Sequence, residues 1–200
     1  YDAFYDPPSA WRRAFNRVFR KAVYLRRDQA LAVHERCGGR TMLDVGCGSG
    51  QNTVYWARHG VEQILGVDIS PEMIRIAEAL AQQAGVADRC RFEQRDFSQM
   101  EVGRSFDSVA ACGVFDYVEQ AEPFLAHMVR FAERVIYASF PGWTLVRSPL
   151  RKIRYALRGC PTHFYRQREL VELFRRVGFG PAEILPVPSG HLAWAVRGTP

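Results

Sequence analysis

The segment LDVGCGSG, residues 43–50, constrains the fold of this chain more than any other stretch. An apolar run from Thr41 ends in Asp44 and Val45, and three glycines then alternate with small residues. Glycine has no Cβ, so this loop permits a tight turn and lets a ligand touch the main chain. In a doubly wound sheet, ligands bind beyond the carboxyl ends of the strands, which is where such a loop lies. A nucleotide-type cofactor is therefore expected here.

Strands alternate with helices along the rest of the chain. QNTVYWARHG predicts a helix closed by Gly60, and SPEMIRIAEALAQQAG predicts one capped by Ser70, with Pro71 at its first position and Gly85 at its end. Further helices are predicted over about 120–132 and in RQRELVELFRRVGF, and the other strands in EQILGVDIS, CRFEQRD, SFDSVAACG, RVIYASFP, AEILPVP and LAWAVRG. The last two strands are too close for a helical crossover and must form a hairpin. The sequence thus predicts an α/β fold with a doubly wound, seven-stranded, mainly parallel sheet whose last strand is antiparallel.

Composition fits one domain with an unevenly charged surface. The chain has 200 residues, 48% of them hydrophobic, and its five cysteines form no C-x-x-C pair, which argues against a disulfide framework and a zinc site. Two windows, 7–27 and 141–168, hold 14 of the 27 Lys and Arg and none of the 21 Asp and Glu. We therefore expect an acidic body with two basic segments, in a cytoplasmic protein without a membrane span.

Acidic residues end three successive predicted strands. Asp44 precedes the glycine loop, Asp68 closes GVDIS, and Asp96 closes QRDF. A carboxylate at the second of these positions can accept both hydroxyls of a ribose. A dinucleotide site would use G-x-G-x-x-G, but the third glycine of that pattern is replaced by Gln51. The spacing here is G-x-G-x-G, so the loop departs from the dinucleotide pattern, and two classes of nucleotide cofactor stay open at this point.

These residues resemble the class I S-adenosylmethionine-dependent methyltransferases, and the resemblance extends over about residues 36–198. It implies a Rossmann-like fold in which Gly46 and Gly48 face the methionine part of S-adenosylmethionine, with Cys47 between them, and Asp44 orients its amino group. It also implies that Asp68 holds the ribose. The remaining implied cofactor contacts are Ile69 and Met73 beside the adenine, Asp96 and Phe97 at its amino edge, and Cys112 as a small neighbour.

The same resemblance locates candidate residues for the chemistry. In the family, the segment corresponding to ACGVFDYVE lies between cofactor and acceptor, so Asp116 and Tyr117 are candidate bases or acceptor contacts, with helix initiation as the alternative. His163 is the preferred general base, because a neutral imidazole can take a hydroxyl proton at physiological pH; the alternative is a loop histidine at a helix start. The other histidines are predicted to be surface residues without a role: His34, His59, His127 and His191.

Basic segments suggest the class of acceptor. The resemblance divides the chain into an N-terminal basic helical cap, 1–35, and a methyltransferase domain, 36–200, with an acceptor-side insertion at about 141–165. Arg151 and Arg154, with Tyr165, are the predicted substrate-binding residues, since arginine binds carboxylate and phosphate bidentately.

Several functional interpretations stay open at this point. A small anionic acceptor, such as a metabolite, a glycan or a lipid headgroup, is the favoured substrate for O- or N-methylation, and S-adenosylhomocysteine would be the product. Nucleic acid is a less favoured acceptor, and contact of the basic segments with a membrane surface is a further alternative. A module that binds S-adenosylmethionine without transferring the methyl group would have the same cofactor motifs. No metal is expected, and the oligomeric state is not predicted.

Overall fold

A computed structural model describes residues 24–143, 163–187 and 190–198. Residues 24–36 form helix α1. The elements that follow are β1 (Thr41–Val45), α2 (Gln51–Arg58), β2 (Gln63–Asp68), α3 (Pro71–Gln83), β3 (Cys90–Gln94), a short 3₁₀ turn (Phe97–Gln99), β4 (Phe106–Ala111), α4 (Ala121–Phe131), β5 (Ala132–Pro141), α5 (Gln167–Val177), β6 (Ala182–Val187) and β7 (Gly190–Val196).

The seven described strands form one sheet in the order β3-β2-β1-β4-β5-β7-β6. The first five strands along the chain pair in parallel, while β7 is antiparallel to both β5 and β6. The strand order reverses between β1 and β4, so a crevice is expected beyond the carboxyl ends of these two strands. The predicted fold class, including the antiparallel last strand, is confirmed.

Local signals in the sequence fix the helix ends. The Ser70 hydroxyl accepts a hydrogen bond from the Met73 N–H at 3.3 Å, with Pro71 in the first turn, so α3 begins where its cap predicts. Gly178 ends α5 at φ 70°, a conformation that only glycine adopts without strain.

Helices cover both faces of the sheet. Alternate side chains of β1 separate into two cores: Leu43 and Val45 pack with α4 and α5, whereas Met42 packs with α1, α2 and α3. By the same alternation Asp44 points to the second face. Among the described residues, no helix is long and apolar enough to cross a membrane.

The Asp107 carboxylate connects the amino ends of three adjacent strands, β1, β4 and β5, by hydrogen bonds. Asp107, in β4, accepts hydrogen bonds from the N–H groups of Arg40 and Thr41 beside β1, both at 2.9 Å, and from Nε of Arg134 in β5 at 2.9 Å. Burial alone would raise the pKa of this carboxyl, but these donors outweigh burial and lower it. The edge of the sheet opposite the glycine loop is thereby held together.

Helix α1 is attached to the body by side chains from two other elements. Trp56 Nε1 donates to the carbonyl of Arg27 at 2.9 Å, and the Tyr137 hydroxyl donates to the carbonyl of Arg26 at 2.8 Å. The proposed division at residue 35 stays a prediction, and residues 1–23 of the basic cap lie outside the described ranges. The contacts show that the described end of the cap packs on the sheet domain.

The prediction that four histidines lie on the surface is partly wrong. His34 is 2% exposed, because its Nδ1 pairs with the Ser108 hydroxyl at 2.7 Å beneath β4, and burial lowers its pKa. His127 is half-buried against Phe97 and Phe131. His191 is also half-buried, and His59 is exposed as predicted.

Candidate functional site

The glycine loop lies where the carboxyl ends of β1 and β2 meet. The N–H groups of Gly46 and Cys47 both donate to the carbonyl of Val67, at 2.8 and 3.0 Å. The next N–H, that of Gly48, donates to Asp68 Oδ2 at 2.9 Å. Three successive amide protons are thus used by the neighbouring strand. They do not form the row of available donors that a pyrophosphate requires, which supports a cofactor without phosphate.

The three glycines of the loop have different surroundings. A Cβ on Gly50 would lie 2.7 Å from Ala77 Cβ, so this glycine permits α2 and α3 to pack closely. A Cβ on Gly46 would lie 2.5 Å from Val114, in the segment that follows β4. Gly48 has φ 54° and no atom within 4 Å of the same position. Gly48 therefore faces open space, and a ligand can approach its main chain.

Asp44 is a buried carboxylate at this edge. Its side chain is 1% exposed, and Oδ2 accepts a hydrogen bond from the Thr53 hydroxyl at 2.6 Å. Burial raises the pKa of Asp44 from 3.8 to about 7, the Thr53 hydroxyl partly opposes this, and the charge of Asp68 adds to it. A carboxyl with this pKa is suited to receive a cationic partner, which would favour its ionised form. The role of Thr53 was missed in the sequence, although it stands in the first turn of α2.

Asp68 is held in one orientation by main-chain donors. While Oδ2 accepts from Gly48, Oδ1 accepts from the Ser70 N–H at 2.9 Å. The next residue, Ile69, is 71% exposed, which is unusual for a large aliphatic side chain that follows a buried strand. Met73 is half-buried one turn further on. This group provides an oriented carboxylate beside an apolar surface, as a ribose and an adenine ring would require.

Asp96 and Phe97 lie beyond β3 but point in different directions. Asp96 is exposed and caps the 3₁₀ turn by accepting from the Ser98 N–H at 2.9 Å. The ring of Phe97 is 5% exposed and packs against Phe124 and Phe131. Asp96 stays near Asp68, because the N–H of Arg95 donates to the Asp68 carbonyl. Any ligand contact by Phe97 would therefore come from its main chain.

The segment after β4 adjoins both the glycine loop and the end of β5. Cys112 is half-buried, and burial and the charge of Asp44 raise the pKa of its thiol, so the thiol stays protonated. The cause is the same for Cys47, whose thiol pKa is also raised. The N–H of Gly113 donates to Ser139 Oγ at 2.8 Å. Neither cysteine is therefore available as a thiolate, and the predicted role of Cys112 as a small neighbour of the cofactor requires none.

The acceptor-side candidates lie in the segment after β4 and in the segment before α5. Asp116 is buried, while Tyr117 is 54% exposed. The N–H of Tyr165 donates to the carbonyl of Pro141 at 2.9 Å, and burial followed by the charges of Asp116 and Glu169 raises the tyrosine's pKa. Asp116 and Tyr165 are therefore close enough for the charge of the carboxylate to act on the tyrosine hydroxyl. His163 is exposed two residues before Tyr165, and Arg151 and Arg154 lie outside the described residues.

Comparison with known sequences identifies the domain. The profile of a methyltransferase domain family matches residues 42–134, which include the glycine loop and all three strand-end acids. The chain carries a class I S-adenosylmethionine-dependent methyltransferase domain. The prediction made from LDVGCGSG and the strand-end acids is thereby confirmed, and so is S-adenosylmethionine as the cofactor of the class.

Relatives of the methyltransferase domain act on different substrates. Ajmaline N-methyltransferase of Rauvolfia serpentina is 35% identical over 94 residues, 46% of this chain and 32% of that protein. A ubiquinone biosynthesis O-methyltransferase of a Methylobacterium species is 36% identical over 108 residues, 54% of this chain and 40% of that protein. The chain thus spans about a third of the length of the curated relatives it matches.

A solved structure shares the architecture over nearly its whole length. Magnesium protoporphyrin IX methyltransferase from Synechocystis PCC 6803, crystallised with S-adenosylhomocysteine, superposes with a TM-score of 0.75. The two chains are 22% identical, and the alignment covers 98% of this chain and 92% of the other. At this identity the likeness establishes the fold of the methyltransferase domain and leaves its acceptor open.

Proposed function

We propose that this chain transfers the methyl group of S-adenosylmethionine to an oxygen or nitrogen atom of a small anionic acceptor. One observation carries the proposal: a buried carboxylate, an open glycine and an oriented carboxylate lie side by side at the crevice of a methyltransferase domain. These are Asp44, Gly48 and Asp68. Asp44, Gly48 and Asp68 would complement the amino group, the methionine chain and the ribose of S-adenosylmethionine, respectively.

The residues present fit the cofactor. The Asp44 carboxylate would accept hydrogen bonds from the amino group, and an ammonium there would offset the cost of burying the charge. Asp68 would receive the ribose hydroxyls while it keeps its bond to the Gly48 N–H. The side chains of Ile69 and Met73 would flank the adenine. When bound, S-adenosylmethionine supplies an activated methyl group on a sulfonium with a good leaving group.

Alignment is the main catalytic task left to the protein. In-line attack needs the acceptor atom held opposite the leaving sulfur, and well-oriented reactions gain about 7–11 kcal/mol from such positioning. Val114 lies over Gly46, and the Gly113 N–H ties the same segment to Ser139 in β5. The start of the segment after β4 is therefore held between the glycine loop and β5, beside the space in which methyl transfer would occur.

A base is required only if the acceptor must lose a proton in the reaction. His163 is our proposed base, because it is exposed at the acceptor side and an imidazole nitrogen can accept a proton. General base catalysis typically contributes about 10²- to 10⁴-fold. Asp116 and Tyr117 remain proposed acceptor contacts, and Tyr165 would bind the acceptor beside Asp116. The two arginines of the basic insertion, Arg151 and Arg154, would bind its anionic group.

The test of the base is His163→Ala, with His59→Ala as the matched control. His59 is also exposed but stacks on Tyr55 at the end of α2, away from the acceptor side. We expect His163→Ala to lower turnover at least about tenfold while the Kd of S-adenosylhomocysteine is unchanged. His59→Ala should leave both quantities near wild type. Unchanged turnover of the His163 variant would remove the histidine from the mechanism.

The acceptor class is tested with methyl-labelled S-adenosylmethionine and cell extract separated into lipid, nucleic-acid and small-molecule fractions. Label in the lipid or small-molecule fraction is expected. Label in the nucleic-acid fraction would make the basic segments a surface for the phosphate backbone. Cofactor binding without any formation of S-adenosylhomocysteine would indicate a binding module and refute methyl transfer.

A further inference from the structure

Thr53 carries a buried hydroxyl that the cofactor motifs do not include. It lies in the first turn of α2, and its side chain is fully buried. A threonine inside a helix often donates to a main-chain carbonyl of the preceding turn. Here Oγ1 donates instead to Oδ2 of Asp44 at 2.6 Å. Thr53 therefore links the start of α2 to the carboxylate at the end of β1.

The other surroundings of Asp44 are apolar. Its partners in register on the adjacent strands are Gly66 in β2 and Ala110 in β4, and neither has a polar side chain. The side chains that α3 buries in this core are also apolar: Ile74, Ala77 and Ala81. Among the described residues, no hydrogen bond reaches Oδ1 of Asp44, and Oδ1 is not one of the fully enclosed polar atoms without a partner. One carboxylate oxygen is thus occupied by Thr53, and the other is accessible.

The charged and titratable groups around Asp44 do not neutralise it. The charge that acts on Asp44 from the described part of the chain is that of Asp68, which has the same sign. Arg26, in α1, acts on the thiol of residue 112. The neighbouring thiols have raised pKa values and stay protonated: Cys47, Cys90 and Cys112. A cationic ligand would therefore supply the positive charge that this carboxyl lacks.

We propose that Thr53 is a positioning residue for cofactor binding: its hydroxyl fixes Oδ2 of Asp44, Oδ1 receives the amino group of S-adenosylmethionine, and the carboxyl gives up its proton as that group binds. The proposal rests on the proposed function and adds a proton balance to it. A protonated carboxyl and the ammonium of the free cofactor become a carboxylate–ammonium pair, and one proton passes to solvent. Thr53 does not touch the cofactor in this arrangement and acts through Asp44.

The experiment counts the protons released when S-adenosylhomocysteine, which carries the same amino group, binds. Titration calorimetry in buffers of different ionisation enthalpy gives this number. Because burial raises the pKa of Asp44 to about 7, the wild type should release about 0.8 proton per ligand at pH 6.5 and about 0.1 at pH 8. The control is Asp44→Asn, which cannot release this proton. Its subtraction removes the contributions of other titrating groups, which are the same in both proteins.

The role of Thr53 is tested with Thr53→Val, which keeps the shape of the side chain and removes the donor. Because the hydroxyl lowers the pKa of Asp44, its loss should shift proton release to higher pH, so that Thr53→Val releases more protons than the wild type at pH 8. Binding at pH 8 should be about fivefold weaker, the effect of one hydrogen bond. Thr53→Ser, which retains the hydroxyl, should restore both quantities. Thr53→Ala repeats the test without the buried methyl groups of valine.

Other outcomes overturn the proposal. Equal proton release by the wild type and Asp44→Asn at pH 6.5 would refute the proton balance, and this comparison needs no Thr53 variant. A less stable Thr53→Val with an unchanged pH profile of proton release would show that the hydroxyl has only a structural role. Absence of S-adenosylhomocysteine binding would refute both proposals. Proton release without any methyl transfer would refute the proposed function alone.

Discussion

Asp44→Asn should make the protein more stable at alkaline pH and weaken cofactor binding. The side chain is buried and accepts a hydrogen bond from the Thr53 hydroxyl, which an asparagine carbonyl can also accept. The substitution keeps shape and hydrogen bond but removes the ionisable group. It therefore isolates the free energy of burying a charge at this position.

The expected magnitude follows from the pKa. With a pKa of about 7 in the folded state and 3.8 in the unfolded state, the folded protein binds more protons between these values. Its free energy of unfolding therefore falls as pH rises through this window and becomes constant above it. At 1.36 kcal/mol per pKa unit, the wild type loses roughly 3 kcal/mol relative to Asp44→Asn between pH 5 and pH 8.5.

The assay is urea denaturation of both proteins across this pH range, followed by circular dichroism. Groups that titrate equally in the two proteins cancel in the difference. If the free energy of unfolding of Asp44→Asn exceeds that of the wild type by the same amount at every pH, the ionisation assigned to Asp44 is refuted. A parallel titration with S-adenosylhomocysteine should show at least about tenfold weaker binding to the variant, since hydrogen bonds to charged groups contribute about 1.5–3 kcal/mol.

Two further predictions concern stability. Gly50→Ala should destabilise the protein by about 2–3 kcal/mol in urea denaturation, because φ at Gly50 is 74° and the new methyl group would meet Ala77. The control Gly85→Ala, where φ is 69° and the space around the new methyl group is open, should cost only about 1–2 kcal/mol. Equal costs of the two substitutions would contradict the packing argument for Gly50. Asp107→Asn should cost about 2 kcal/mol at pH 7, and because the pKa of Asp107 is lowered, the difference from wild type should shrink as pH falls through the acidic range. A difference that persists unchanged in acid would show that the charge of Asp107 is unimportant.

Local patterns predicted the fold well because each element carries its own signals. The Ser70 cap, the Pro71 start and the apolar run of β2 are properties of short stretches, and the structure follows them. The hairpin of β6 and β7 could be inferred from loop length alone. What the sequence could not supply was the distribution of contacts between distant segments, such as the pairing of His34 with Ser108.

Candidate cofactor residues were more predictable than acceptor residues for a similar reason. Asp44, Gly48 and Asp68 follow from strand ends, whose mutual position is set by the parallel sheet. Tyr165 is remote from β5 in the chain and is joined to it by the hydrogen bond from its N–H to the Pro141 carbonyl. No periodicity marks such a contact. The inward direction of the Phe97 ring was likewise invisible, since motif position alone does not determine where a side chain points.

The hydrogen bonds that Asp107 accepts at the amino ends of β1, β4 and β5 determine which end of the sheet can open more easily. Separating β1 from β4 at their amino ends would take the N–H donors of Arg40 and Thr41 away from the half-buried Asp107 carboxylate, whereas the carboxyl ends of the two strands continue into loops. Amide hydrogen exchange should therefore be slowest at the Asp107 edge and faster around residues 46–48 and 113. We therefore expect the larger fluctuations of the domain at the end that carries the glycine loop, with strand register kept by the contacts at the other end.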